Sequence, residues 1–125
     1  MLGIVICHKS LAFEMVNTAH SILGFADDIA AFSNEKLTTE NAIQKVEQLI
    51  GDTRNQGPVV FMTDMRGGNC WTIAQMVARN KSDYYVLSGV NLPMVLSYLT
   101  KKDNLGIREL TDIMEKVAHR GIFLE

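Results

Sequence analysis

The chain is poor in the residues that staple, stiffen or charge a fold. Its 125 residues include two cysteines, two prolines and one tryptophan, and aromatic residues make up 7%. A lone pair of cysteines, Cys7 and Cys70, makes no disulfide framework and suits reduced thiols in a cytoplasm. No apolar run approaches the ~20 residues that a bilayer-spanning helix needs. The opening Met1-Leu2-Gly3-Ile4-Val5-Ile6-Cys7 is too short for a signal peptide and lacks its basic flank, so it reads as a buried strand. Twelve Lys and Arg stand against fourteen Asp and Glu, a net charge of −2, which argues against a broad nucleic-acid footprint. There is no Walker-type Gly-rich Lys motif, no internal repeat, no low-complexity stretch and no linker. One domain over residues 1–125 is expected, long enough to bury a core without staples, and no cofactor is expected.

What the chain does have is 47% hydrophobic content in alternating strand and helix patterns. Leu2 to Cys7 is a solid apolar run of the kind covered on both faces. Leu11, Met15, Ala19, Ile22 and Leu23 recur at helical spacing, with Ser10 as the expected cap and Gly24 as the stop. Ile29 to Phe32 is a second, weaker strand. Thr38 and Thr39 can cap a helix that carries Ile43, Val46, Leu49 and Ile50 on one face. Pro58 to Thr63 is a third strand. A glycine turn then leads into a helix holding Ile73, Met76 and Val77. Tyr84 to Ser88 is the fourth strand, and Pro93 sits in the first turn of the next helix. Ile107, Leu110, Ile113, Met114 and Val117 stripe the last helix, and Ile122 to Leu124 reads as a C-terminal edge strand. The seven methionines read as core filler. Strand alternating with helix specifies an α/β three-layer sandwich with a mainly parallel sheet, here of order 2-1-3-4 plus the C-terminal edge strand.

Open α/β sheets bind ligands beyond the C-terminal ends of their strands, where strand order reverses. His8 follows the first strand and Asp64 follows the third. Order 2-1-3-4 makes those strands neighbours, so the two residues meet across the crevice. A carboxylate that accepts a hydrogen bond from one imidazole nitrogen fixes the tautomer and leaves the other nitrogen nucleophilic. Gly67-Gly68-Asn69 opens the following helix, where backbone N–H groups favour an anion. His8 and Asp64 are therefore the candidate catalytic pair, with Gly67, Gly68, Asn69 and Lys9 as candidate phosphate-binding residues. Together they suit phosphoryl transfer through a phosphohistidine. His20 and His119 lie inside helices and carry no such partners, and Trp71, just after the turn, reads as a residue that packs, shapes the crevice or meets a partner. Cys7, His8, Asp64 and Cys70 are suitable metal ligands by type. Cys7 and His8 are adjacent on a strand, however, and point to opposite faces, so no metal site is expected.

These same residues carry a resemblance. Gly3-Ile4-Val5-Ile6-Cys7-His8 resembles the strand that ends in the phosphorylated histidine of the IIA domain of the mannose-type sugar phosphotransferase system. Thr63-Asp64-Met65-Arg66-Gly67-Gly68-Asn69 is similar to that family's Asp-Leu-Phe/Trp-Gly-Gly-Ser motif. Ser88-Gly89-Val90-Asn91-Leu92-Pro93-Met94 is similar to its Gly-Val-Asn-Leu/Ile-Pro-Met segment. The resemblance covers essentially the whole chain. Where the family usually has glycine after the histidine this chain has Lys9, and Asn69-Cys70 stands where Ser-Pro usually follows the glycines. The resemblance implies a cytoplasmic phosphocarrier that takes a phosphoryl group from the histidine phosphocarrier protein HPr on His8. It would pass the group to a IIB domain in phosphoenolpyruvate-dependent sugar uptake, reaching the membrane only through a permease complex. It also implies a homodimer that exchanges the last strand. A regulatory module that signals by phosphorylation state is the alternative.

Overall fold

The computed structural model describes residues 1–125. Four strands form one parallel sheet, β1 (Leu2–Cys7), β2 (Ile29–Ser33), β3 (Val59–Thr63) and β4 (Tyr84–Ser88), in the order β2-β1-β3-β4. Five helices connect and follow them: α1 (Leu11–Leu23), α2 (Thr39–Thr53), α3 (Asn69–Ala78), α4 (Leu92–Lys101) and α5 (Ile107–Arg120). The two central strands, β1 and β3, are buried at every position, as their unbroken apolar runs require.

Alternation along the strands divides the core in two. Val5, Cys7, Val60 and Met62 face one side, where they meet Ala12 and Ala19 of α1, Met94 and Tyr98 of α4, and Leu110 and Met114 of α5. Ile4, Ile6, Val59 and Phe61 face the other side, against Val46 and Ile50 of α2 and Cys70, Ile73 and Val77 of α3. The architecture is thus three layers, α1/α4/α5 on one face and α2/α3 on the other. Each fully buried aliphatic side chain contributes about 1.5–3 kcal/mol of transfer free energy.

Local chemistry matches most expected boundaries. Thr38 accepts a hydrogen bond from Asn41 N–H at the start of α2, and Asn91 does the same for Met94 at the start of α4. Gly24 ends α1 in the left-handed conformation, φ 81°, with its N–H on the His20 carbonyl.

Two expectations fail, and a third needs a second chain to form. Ser10 stands at the head of α1, but its side chain makes no cap bond. Its backbone, at φ −94° and ψ 4°, is already turned rather than extended, so the hydroxyl does not reach the next amides. Leu11, Ile22 and Met76 are exposed, because α1 and α3 bury narrower stripes centred on the small residues Ala12, Ala19 and Ala74. Ile122 to Leu124 adds no fifth strand to the chain's own sheet; the segment leaves the end of α5 with Ile122 and Phe123 each 78% exposed. Turning back onto β4 would require a loop that Gly121, still helical at φ −72°, does not provide.

The far end of the sheet is locked by Tyr98. Its hydroxyl donates to the Asp28 carbonyl at 2.7 Å while its ring lies over Gly3. A Cβ on residue 3 would sit 2.7 Å from the Tyr98 ring, closer than atoms approach in proteins. Gly3→Ala is therefore expected to destabilise the domain by about 1–3 kcal/mol, read as a lower urea midpoint.

Candidate functional site

His8 is the first residue beyond β1 and Asp64 the first beyond β3. The parallel register pairs Ile6 with Thr63, so both side chains emerge at the same edge of the sheet. Asp64 Oδ2 takes two hydrogen bonds from one residue, from His8 N–H at 2.9 Å and from His8 Nδ1 at 2.6 Å. Its other oxygen, Oδ1, accepts the Met65 N–H at 2.9 Å. The carboxylate is thus fixed by its own strand end while it fixes the imidazole. Partial burial alone would push the Asp64 carboxyl up. The hydrogen bonds from His8, the His8 charge and the Met65 N–H outweigh burial and hold it below its ordinary 3.8. Asp64 is therefore an anion at neutral pH and can only accept, so Nδ1 carries the proton and Nε2 keeps its lone pair.

The His8 side chain is 48% exposed and that of Asp64 13%. None of the molecule's cavities is lined by His8. A nucleophile on an open surface rather than in a pocket suits a reaction partner that is itself a macromolecule.

The glycine turn behaves as the sequence suggests. Gly68 N–H bonds the Met65 carbonyl at 3.2 Å, closing a turn with Gly67 at φ 81°, the position that favours glycine in a type II turn. Gly68 heads α3 in extended conformation. The Asn69, Cys70 and Trp71 amides then have no backbone acceptor, leaving a cluster of free N–H groups beside His8.

Asn69 is the candidate phosphate-binding residue that follows the two glycines. It is the first residue inside α3, and its side chain is committed sideways: its oxygen accepts from Asn34 Nδ2 at 3.0 Å, and its Nδ2 donates to Thr39 Oγ1 at 2.9 Å. What Asn69 can offer an anion is its backbone N–H. Lys9 is exposed and makes no ion pair. Its φ of 50° lies in the left-handed region. His20 and His119 are exposed and remote from Asp64 in the hydrogen-bond network; His119 lines a separate cavity of about 210 Å³ with Ser88 and Asn91.

Two further residues, Cys70 and Asn34, join this end of the sheet. Cys70 Sγ lies 3.7 Å from His8 Nδ1, and Asn34 directs its backbone N–H at the same sulfur. Burial, reinforced by the Asp64 charge, pushes the Cys70 thiol up to about 12. Cys7 is likewise pushed to about 12, mainly by burial, but it belongs to the opposite face of the sheet. Asn34 could have been found: it follows β2, the other neighbour of β1, at the same sheet edge. From sequence Cys70 is a ligand by residue type alone, without the geometry that brings it to His8.

Two outcomes follow from this geometry. Lys9→Gly should stabilise the domain by about 1 kcal/mol, since the left-handed backbone that penalises lysine suits glycine; chemical denaturation measures it. The second concerns pH. A carboxyl lowered by folding stabilises the native state fully above its unfolded value, and that contribution vanishes as pH falls through the folded value. The stability advantage of the native protein over Asp64→Asn should therefore hold above about pH 5 and shrink toward pH 2, measured by denaturant titration at each pH.

A family model described as "PTS system fructose IIA component", EIIA-man, matches residues 3–115. Over 119 residues the chain is 28% identical to the PTS system mannose-specific EIIAB component of Escherichia coli (strain K12), a match that takes in 92% of this chain and 36% of that protein. The chain thus spans little more than a third of the length of that relative. It is 22% identical over 125 residues to the PTS system fructose-specific EIIA component of Bacillus subtilis (strain 168), covering 97% and 84% of the two chains. Among solved structures, the mannose/sorbose specific IIA subunit of the phosphotransferase system from Enterococcus faecalis superposes with a TM-score of 0.89 at 18% identity, over 99% of this chain and 93% of that one. Phosphotransferase system component EIIA from Streptococcus agalactiae gives 0.87 at 17% identity, over 98% and 95%. At these identities the superpositions bear on the fold, and it is the same three-layer fold. The family model spans nearly the whole chain, sheet edge and glycine turn included, and the chain belongs to the EIIA-man family of phosphotransferase-system components.

Proposed function

We propose that this chain is a phosphocarrier: His8 accepts a phosphoryl group from HPr and hands it to a IIB component in phosphoenolpyruvate-dependent sugar uptake. The observation that carries the reading is the 2.6 Å contact between Asp64 Oδ2 and His8 Nδ1. It leaves Nε2 as the nucleophile at an exposed sheet edge. In the transfer, the Nε2 lone pair forms a bond to phosphorus as the donor's nitrogen–phosphorus bond breaks. The His8 ring gains positive character, and the Asp64 carboxylate stabilises it through the Nδ1 proton, which stays in place. The proton inventory is unchanged, so the reverse step toward a IIB acceptor follows the same path.

The free N–H groups of Asn69, Cys70 and Trp71 at the start of α3 would hold phosphoryl oxygens, and Gly67 and Gly68 let the backbone come close. The exposed Lys9 and Arg66 add positive charge beside the anion. These are the roles we assign to the phosphate-binding set.

The same reading makes the protein a homodimer. β4 is an edge strand with one side unpaired, and the Ile122 to Leu124 tail is apolar and almost fully exposed. Pairing that tail with β4 of a second copy would cover both. No helix is long and apolar enough to cross a membrane. A cytoplasmic carrier that meets a membrane permease only through its IIB partner is the consistent setting.

Incubation with phosphoenolpyruvate, enzyme I and HPr should place one acid-labile phosphate on the protein. His8→Ala should abolish it, while His20→Ala and His119→Ala should not. Asp64→Asn should slow labelling roughly 10- to 100-fold, the usual effect of removing a partner that orients an imidazole, with circular dichroism unchanged. Label that survives His8→Ala would refute the assignment. Onward transfer to a IIB component separates a transport role from a purely regulatory one.

A further inference from the structure

The surroundings of His8 hold more ligand chemistry than phosphoryl transfer uses. His8 Nδ1, an Asp64 carboxylate oxygen and Cys70 Sγ all lie within 4.8 Å of one another. These are one imidazole, one carboxylate and one thiol from three separate segments, the ends of β1 and β3 and the first turn of α3. Alternation along β1 removes Cys7 from the group, since Cys7 packs in the opposite core. It does not remove Cys70, which α3 brings to the His8 face.

The distances fit a particular coordination. Zinc takes nitrogen and oxygen at about 2.0–2.2 Å and sulfur at about 2.3 Å in a tetrahedron, which puts neighbouring donors about 3.3–3.6 Å apart. The Sγ to Nδ1 separation is 3.7 Å, close to that edge. The Oδ2 to Nδ1 separation is 2.6 Å, a hydrogen bond, and must open by somewhat under 1 Å once the proton between them is gone. Oδ2 must also swing off the Nδ1 axis that the ion takes, giving up its bond from the His8 N–H, while Oδ1 can stay on the Met65 N–H. A thiol among the donors disfavours magnesium and calcium, which take oxygen, and favours a borderline or soft ion. The nearby cations Lys9 and Arg66 oppose any divalent ion, so binding must come from the covalent character of the metal–sulfur and metal–nitrogen bonds.

We propose that His8, Asp64 and Cys70 form a site for a thiophilic divalent cation, zinc by the chemistry of the donors, and that its occupation silences His8 as a nucleophile. Proton accounting gives the silencing. Before binding, Nδ1 carries the proton and Nε2 the lone pair. Zinc takes the Nδ1 lone pair, so the imidazole proton moves by way of solvent to Nε2. The Cys70 thiol loses its proton to solvent as the zinc–sulfur bond forms. Nε2–H has no lone pair to offer phosphorus, so a metallated His8 accepts no phosphoryl group. The fourth position of the tetrahedron is left to water, on the side where His8 is exposed. Metal binding stands on the donor geometry by itself; the silencing rests on the phosphocarrier reading.

The test uses the full chain, reduced and metal-free. Calorimetry with zinc chloride should give one site per chain. Cobalt(II) should give the intense visible bands of a tetrahedral ion together with a thiolate-to-cobalt charge-transfer band. Cys70→Ala should lose that band and bind zinc at least about 10-fold more weakly, the lower bound set by the loss of a mere outer-shell partner. Cys7→Ala should keep both. Asp64→Asn, which keeps the size and shape of the side chain, gives a second ligand deletion should Cys70→Ala fail to fold. Zinc should also slow phosphorylation of the native protein by the phosphorylated carrier, and Cys70→Ala should resist that slowing. No charge-transfer band in the native protein, or equal zinc affinity in folded Cys70→Ala, overturns the site. Phosphorylation that proceeds unchanged at saturating zinc overturns the silencing. Phosphorylation measured without zinc tests the phosphocarrier reading separately, so the two can fail independently.

Discussion

One carboxylate oxygen organises the working end of this protein. Asp64 Oδ2 takes both the backbone N–H and the ring Nδ1 of His8, while Oδ1 is tied to Met65. The first bond fixes where the chain leaves β1. The second fixes the imidazole tautomer and orientation. The third fixes the carboxylate itself. None of this would be possible if β1 and β3 were not neighbours in register, and that register is set by strands buried on both faces. A one-residue slip in either strand would exchange its two core faces, so the packing of Ile4, Ile6 and Phe61 against α2 and α3 is also what aligns the site.

The second ring of contacts comes from loops beyond the same sheet edge. Asn34 after β2, Thr39 at the start of α2 and Asn69 at the start of α3 form a chain of side-chain hydrogen bonds. It clamps the first turn of α3 beside His8, with Asn34 also reaching the Cys70 sulfur. The helix start therefore presents its free amides from a held position. In this chain the side chain of Asn69 serves that clamp, and its backbone N–H is left to face the site.

Much of this was legible in the sequence, for identifiable reasons. Unbroken apolar runs such as Leu2 to Cys7 announce central parallel strands, and right-handed crossovers leave few orders for four of them. Strand order then puts His8 beside Asp64 with no further information. The misreadings are local or long-range. Ser10 looked like a cap because residue type alone does not reveal that Lys9 adopts a left-handed turn just before it. Leu11, Ile22 and Met76 looked buried because periodicity gives a helix face but not how narrow a stripe its neighbours cover. The Ile122 to Leu124 strand has the right composition but no partner within its own chain. Cys70 could be grouped with His8 by ligand type, but its 3.7 Å approach is a tertiary fact, a helix start meeting a strand end.

The central claim is that the Asp64 contact makes Nε2 of His8 the atom that reacts. Nitrogen-15 correlation spectra of the histidine rings, recorded on the phosphorylated protein, test it most directly. The account predicts phosphorus coupling at Nε2 of His8, with the proton retained on Nδ1. Phosphorus on Nδ1, or on the ring of another histidine, would contradict it.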